Sequence, residues 1–198
     1  MIVPAVFDAV QYSYSLPPAV GERVCWELAW NESMGRRWSA LQPGWRVTTA
    51  LRPADEDPVM MLGGRDMQER VAVQPSIASS GGLRVRYETA DPVPLSLTMH
   101  GAVRVLATTN PRPGRRDALP PTPGFATFGE VTRLRLVSML IDWELKREGW
   151  IGMEPVPGAE WIYELAEPPS TLHHYRPPGE DTAAVRNEVL LVDLAVPD

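Results

Sequence analysis

Cysteine is almost missing from this chain. Cys25 stands alone among 198 residues, so no internal disulfide can form and no multi-thiolate zinc site can be assembled. Lysine is as scarce: Lys146 is the single lysine among 19 basic residues, an arginine bias that fits a GC-rich coding genome and carries no mechanism. No run of eighteen apolar residues occurs, which excludes a membrane-spanning helix. The opening MIVPAVFDAVQYSYSLPP has no basic start, no long apolar stretch and an early Asp8, so it does not read as a signal peptide. A soluble, cytoplasmic protein without a membrane partner is expected.

Positive charge is also in short supply. The net charge of -6 removes the long-range attraction to phosphate that drives non-specific nucleic-acid binding. The imbalance is uneven: residues 151–198 carry nine acidic and two basic side chains, whereas residues 101–150 carry five and eight. Catalytic signatures are missing too. SSGGLRV at 79–85 has paired glycines but neither the lysine nor the helix signal of a phosphate loop, and Ser138 and Ser170 lie in no G-x-S-x-G elbow. Cys25, between Val24 and Trp26 on an alternating run, reads as a structural thiol.

What the chain has in plenty is turns. Its 21 prolines and 15 glycines fall singly and in pairs between apolar runs, the pattern of many short strands. A length of 198 residues with 44% hydrophobic content suits one β-rich domain spanning 1–198. The clearest period-two run is RVCWELAW at 23–30. Val24, Trp26, Leu28 and Trp30 share one face, with Arg23, Cys25, Glu27 and Ala29 on the other. WRVTTAL at 45–51 (Trp45, Val47, Thr49, Leu51 inward) and LRVRYET at 83–89 (Leu83, Val85, Tyr87 inward, Arg84 and Arg86 outward) repeat it.

HGAVRVLATT at 100–109 and FGEVTRLRLVS at 128–138 echo each other, each with a glycine near the start of a strand, where bulges and close backbone approaches occur. They read as two paired strands flanking NPRPGRRDALPPTPG at 110–124, whose five prolines exclude regular structure. That Pro-rich insertion is expected to be mobile, to be dispensable for folding, and to present Arg112, Arg115 and Arg116 to a partner. LRLVSMLIDWELKRE at 134–148 admits both periods, so 136–147 is open between strand and helix; the strand reading makes a hairpin with AEWIYEL, turned by PVPG. NEVLLVDLAVP at 187–197 closes the set as a strand with Leu190, Val192 and Leu194 inward. RRW at 36–38 and GGRDMQERVAV at 63–73 suit short helical turns.

Two histidines, His173 and His174, stand beside Tyr175 in STLHHYRPPGED. On a strand adjacent residues face opposite ways, and a zinc site needs a third ligand that only His100, Glu180 or Asp181 offers. The stretch reads as a polar loop, and no metal or cofactor is implied. DED at 55–57 and Glu180-Asp181 read as solvated carboxylates. Of seven tryptophans, Trp26, Trp30, Trp45 and Trp143 suit the core, while Trp38, Trp150 and Trp161 have polar neighbours and suit a partner surface.

AVGERVCWEL, HGAVRVL, FGEVTRLRLVS and the closing EVLLVDLAVPD, in that order, resemble an actinobacterial family of small uncharacterised proteins, a domain of unknown function. That family's paired N-terminal cysteines are replaced here by YSYSLPP. The resemblance implies a cytoplasmic β-protein and brings no chemistry.

The expected fold is mainly β, a small antiparallel barrel or two-layer sandwich with a long Pro-rich loop. The expected function is a non-catalytic protein-interaction module, an immunity or accessory subunit of a larger assembly. The alternatives are a small hydrolase or metal-dependent enzyme using His173 and His174, and a nucleic-acid-binding barrel, which the acidic balance disfavours.

Overall fold

The computed structural model describes the chain apart from residues 40, 64–68, 116–118, 147–149, 173–174 and 182–183; at 62–63, 69, 143–146 and 150–154 it describes the backbone alone. The protein is mainly β, with 52% of residues in strands and 9% in helices. Its strands are β1 (Ile2–Phe7), β2 (Arg23–Ala29), β3 (Arg46–Pro53), β4 (Val59–Gly63), β5 (Glu69–Val73), β6 (Ser76–Ser80), β7 (Leu83–Tyr87), β8 (Ser96–His100), β9 (Val103–Thr108), β10 (Ala126–Lys146), β11 (Trp150–Leu165) and β12 (Arg186–Ala195). Two short helices, α1 (Ala9–Tyr14) and α2 (Glu32–Trp38), follow β1 and β2. Each begins at a side-chain cap: Asp8 accepts from Val10 and Gln11, and Asn31 accepts from Met34.

Ten strands form one sheet in the order β11-β10-β12-β1-β9-β2-β7-β6-β3-β8, and β10 also pairs with β2. The last pairing brings β2, β10, β12, β1 and β9 full circle, while the remaining strands run on from it, so the sheet is no clean barrel. β10 makes the closure possible by its length. Ala126–Glu130 pair with β2, Glu130–Leu140 with β12, and Leu134–Lys146 with β11. At the changeover sits Gly129, where a Cβ would meet Leu194 Cγ at 2.7 Å, so only glycine lets β12 approach. Two register shifts, at Val131/Arg133 and Met139/Ile141, let so long a strand curve.

Burial explains the ambiguous runs. Along β12, Leu190, Val192 and Leu194 enter the main core with Val3, Phe7, Trp26, Leu28 and Val85. Val189 and Leu191 enter a second cluster on the opposite face, beneath Trp38 of α2. β10 is likewise covered on both sides, Leu134 and Leu136 facing one cluster and Val137, Met139 and Ile141 the other. Two apolar faces erase period-two alternation.

Several expectations need correction. The sheet is mixed, because β1–β9 and β2–β7 are parallel. β9 and β10 are not neighbours; β2 lies between them. Residues 136–146 are strand, and Arg147 lies outside the described residues. PVPG at 155–158 is no hairpin turn: the register jumps from Met139↔Glu160 to Ile141↔Pro155, so it forms a bulge inside β11. Of the segment at 63–73, Gly63 and Glu69–Val73 belong to the β4–β5 pair, and residues 64–68, where a helical turn was expected, lie outside the described residues. Trp38 is 6% exposed, since helical spacing turns it inward while Arg36 and Arg37 face solvent.

Candidate binding site

The Pro-rich segment is fastened to the molecule at both ends. Pro111 bridges to Ser15, Leu16 N–H donates to Asn110 O at 3.0 Å, and Arg112 N–H donates to Tyr14 O at 2.8 Å. At the other end Thr122 N–H donates to Glu27 Oε2 at 2.9 Å, and Phe125 is buried. Expected mobility at Arg112 gives way to this anchoring.

Arg112-Pro113-Gly114-Arg115 is a tight turn. Arg115 N–H donates to Arg112 O at 3.1 Å and Gly114 has φ 84°, the arrangement in which proline and glycine fill the two central positions. The turn aims both guanidiniums at α1. Arg112 Cζ lies 5.6 Å from the Tyr12 ring centre and Arg115 Cζ 5.2 Å from that of Tyr14, within cation–π range. Arg112 Nε–H also donates to Tyr12 O at 2.5 Å. The Tyr12 hydroxyl, in turn, donates to Pro169 O at 2.8 Å, which ties α1 to residues 169–172. Burial drives the Tyr12 phenol above its ordinary pKa; Arg112 opposes the shift and Tyr175 adds to it. It stays a neutral hydrogen-bond donor.

A recess of about 270 Å³ opens between these elements, lined by Tyr12, Ser13, Arg112, Arg115, Ser170 and Thr171, with buried Leu172 beneath. Three residues C-terminal to Leu172, Tyr175 begins an aromatic row. The Tyr175 ring centre is 6.0 Å from that of Tyr163, and Tyr163 stacks on Trp161 at 5.8 Å. The segment carrying Tyr175 is pinned to the sheet: Ser138 Oγ–H donates to Tyr175 O at 2.6 Å. Arg186, almost fully buried, holds Glu180 through two bonds of 2.6 Å and also donates to Ser138 O.

Of the sequence-predicted residues, Arg112 and Arg115 thus line the recess, and Tyr175 and Trp161 belong to the aromatic row with Tyr163. Arg116, His173 and His174 lie outside the described residues, as does the Trp150 side chain. Trp38 belongs to the core. Among the described residues no group of three His, Cys, Asp or Glu side chains converges on a metal-sized gap, and Glu180 is already engaged by Arg186. His100 packs edge-on against Trp30 and its carbonyl accepts from Trp30 Nε1. Burial raises the Cys25 thiol above its usual pKa, which disfavours the reactive thiolate. Tyr12, Tyr14, Ser170 and Thr171 were missed; the alternating tyrosines of QYSYS carried the one available signal.

Several other arginines are neutralised by carboxylates. Arg86 meets Glu27 at 2.7 Å, Glu56 at 2.9 Å and Glu88 at 3.1 Å, and lies 4.0 Å above the Phe125 ring. Arg135 pairs with Asp193, and Arg133 with Glu164. Among the described residues, neither Arg112 nor Arg115 meets a carboxylate, and the hydroxyls of Ser170 and Thr171 have no partner. The arrangement is equipped to bind an anion beside an aromatic surface.

Fold and face together define a mainly β protein with an arginine–tyrosine surface. Comparison with protein-family models, curated proteins and solved structures finds no match. Among the described residues no helix is long and apolar enough to cross a membrane.

Proposed function

We propose that this chain is a non-catalytic protein-interaction module, an accessory or immunity-type subunit, and that it docks an anionic segment of a partner protein across the Arg112–Arg115–Tyr175–Trp161 face. The observation that carries the reading is the contrast between arginines: Arg86, Arg104, Arg133, Arg135 and Arg186 are neutralised by carboxylates, while Arg112 and Arg115, side by side on one turn, are held on tyrosine rings with free donors. On a chain of net charge -6 such a patch is a local exception, and it steers an acidic partner to one place. Arginine, tyrosine and tryptophan are also the residues that dominate interface energies.

The test is site-specific photo-cross-linking. A photoreactive phenylalanine analogue replaces Trp161 in one variant, Thr171 in a second and Phe128, exposed where β10 pairs with Cys25 of β2 and absent from the recess lining, in a third. The reading expects the same acidic protein captured from positions 161 and 171, with capture lost on adding Arg115→Gln. Equal capture from position 128, or capture indifferent to Arg115→Gln, contradicts it.

A further inference from the structure

We infer that the recess between α1 and residues 170–172 is a phosphoryl-binding site that takes the dianionic head of a phosphate monoester. The inference rests on the docking face proposed above and names the chemistry of the anion it holds.

Donor count separates phosphate from carboxylate. A carboxylate presents two coplanar oxygens with about four acceptor sites, two of which one guanidinium fork fills. Here two guanidiniums from one turn and the exposed residues Ser170 and Thr171 from a different segment line the same recess. Arg112 spends Nε on Tyr12 O and keeps its terminal nitrogens; Arg115 makes only the stacking contact with Tyr14. The hydroxyls of Ser170 and Thr171 are unpartnered among the described residues, whereas Ser13 Oγ–H is already given to Ala9 O. That donor set exceeds what a carboxylate can accept. A phosphate monoester offers three acceptor oxygens and a charge of about -1.5 to -2, so it can use both forks and both hydroxyls.

Shape agrees with the head-group assignment. At about 270 Å³ the recess falls just below the range of about 300–1,000 Å³ that engulfs whole small molecules. It holds a phosphoryl group and the first ester carbon, and the remainder of the ligand lies along Tyr175, Tyr163 and Trp161. The tyrosine rings stiffen both guanidiniums before the ligand arrives, which lowers the ordering cost of binding.

Calorimetric titration of the full chain with inorganic phosphate, O-phosphoserine and acetate tests the assignment. Saturable binding of the two phosphates is expected, with acetate weaker by about tenfold or more. Arg115→Gln, at an exposed site with no structural hydrogen bond from its side chain, should weaken O-phosphoserine binding by about tenfold. Thr171→Ala should weaken it less, and Arg36→Gln, an exposed arginine paired with Glu32, should leave it unchanged. Affinity should rise from about pH 5 to about pH 7.5 as the ester loses its second proton near pH 6. O-phosphoserine tighter than inorganic phosphate supports the site as one for a group carried on a larger ligand, and the reverse overturns the monoester assignment. Acetate binding as tightly as phosphate, no saturable phosphate binding, or indifference to Arg115→Gln overturns it. If acetate matches phosphate while Trp161 cross-linking still depends on Arg115, the phosphoryl assignment falls and the docking face stands. If phosphate binds as expected while no partner is captured at 161 or 171, the docking face falls alone.

Discussion

Arg86 and Arg115 lie on the same chain, each against an aromatic ring, and they live in opposite electrostatic settings. Arg86 is 13% exposed and surrounded by Glu27, Glu56 and Glu88; the ring beneath it, Phe125, is buried. Arg115 is exposed, and its described neighbours are Tyr14, hydroxyls and another arginine. A buried guanidinium without carboxylates is prohibitively costly, so Arg86 must be saturated. An exposed one costs little to leave open. The same residue type therefore fastens the 54–57 and 122–125 segments to the sheet in one place and remains available for a ligand in the other.

The largest effect should come from breaking the saturated cluster. Arg86→Ala leaves Glu27, itself 6% exposed, buried beside other carboxylates, and should cost about 3–5 kcal/mol in denaturant unfolding. A loss under about 1 kcal/mol would place Arg86 with the surface arginines. Replacing Pro111–Pro123 by a Gly/Ser linker ranks next. Loop length alone predicts little, but the replacement removes the bonds from Arg112 N–H, Arg112 Nε–H and Thr122 N–H, so a loss of about 2–3 kcal/mol is expected.

Acid supplies a third probe. The hydrogen bonds from Arg186 hold the Glu180 carboxyl below the ordinary carboxylate range. Its folded pKa is thus lower than its unfolded value of about 4.3, so its contribution is full above that pH and fades as pH falls through the folded value. Amide exchange around Tyr175 to Asp181 should accelerate below about pH 4, and in Glu180→Gln it should already be fast at neutral pH with no such step. The smallest effect belongs to Arg115→Gln, which should change stability by less than about 0.5 kcal/mol while removing anion binding.

Legibility followed the same divide between one-faced and two-faced structure. The runs at 23–30, 45–51 and 83–89 alternate because one face meets the core; Trp26, Leu28, Leu83 and Val85 are buried as read. Glu27 and Arg86 escaped, because their outward face is roofed by distant segments that no local pattern reports. β1 went unread since five of its six residues are buried and alternation is absent. The circular pairing was equally hidden, for it depends on β10 exchanging β2 for β12 at Gly129. Half of the candidate site was visible, in Arg112, Arg115, Trp161 and Tyr175. The other half was not, because the contact between Arg112 and Tyr12 spans 100 residues of sequence. Trp38 misled by its neighbours: charged Arg36 and Arg37 flank a helical position that points inward.

The difference between closed and open arginines can be read directly from their side-chain Nε–H signals by nuclear magnetic resonance during titration with inorganic phosphate. The account predicts that the Arg112 and Arg115 signals shift together and saturate, while those of Arg86 and Arg186 stay fixed. Movement of Arg86 or Arg186, or a stationary Arg115, would contradict it.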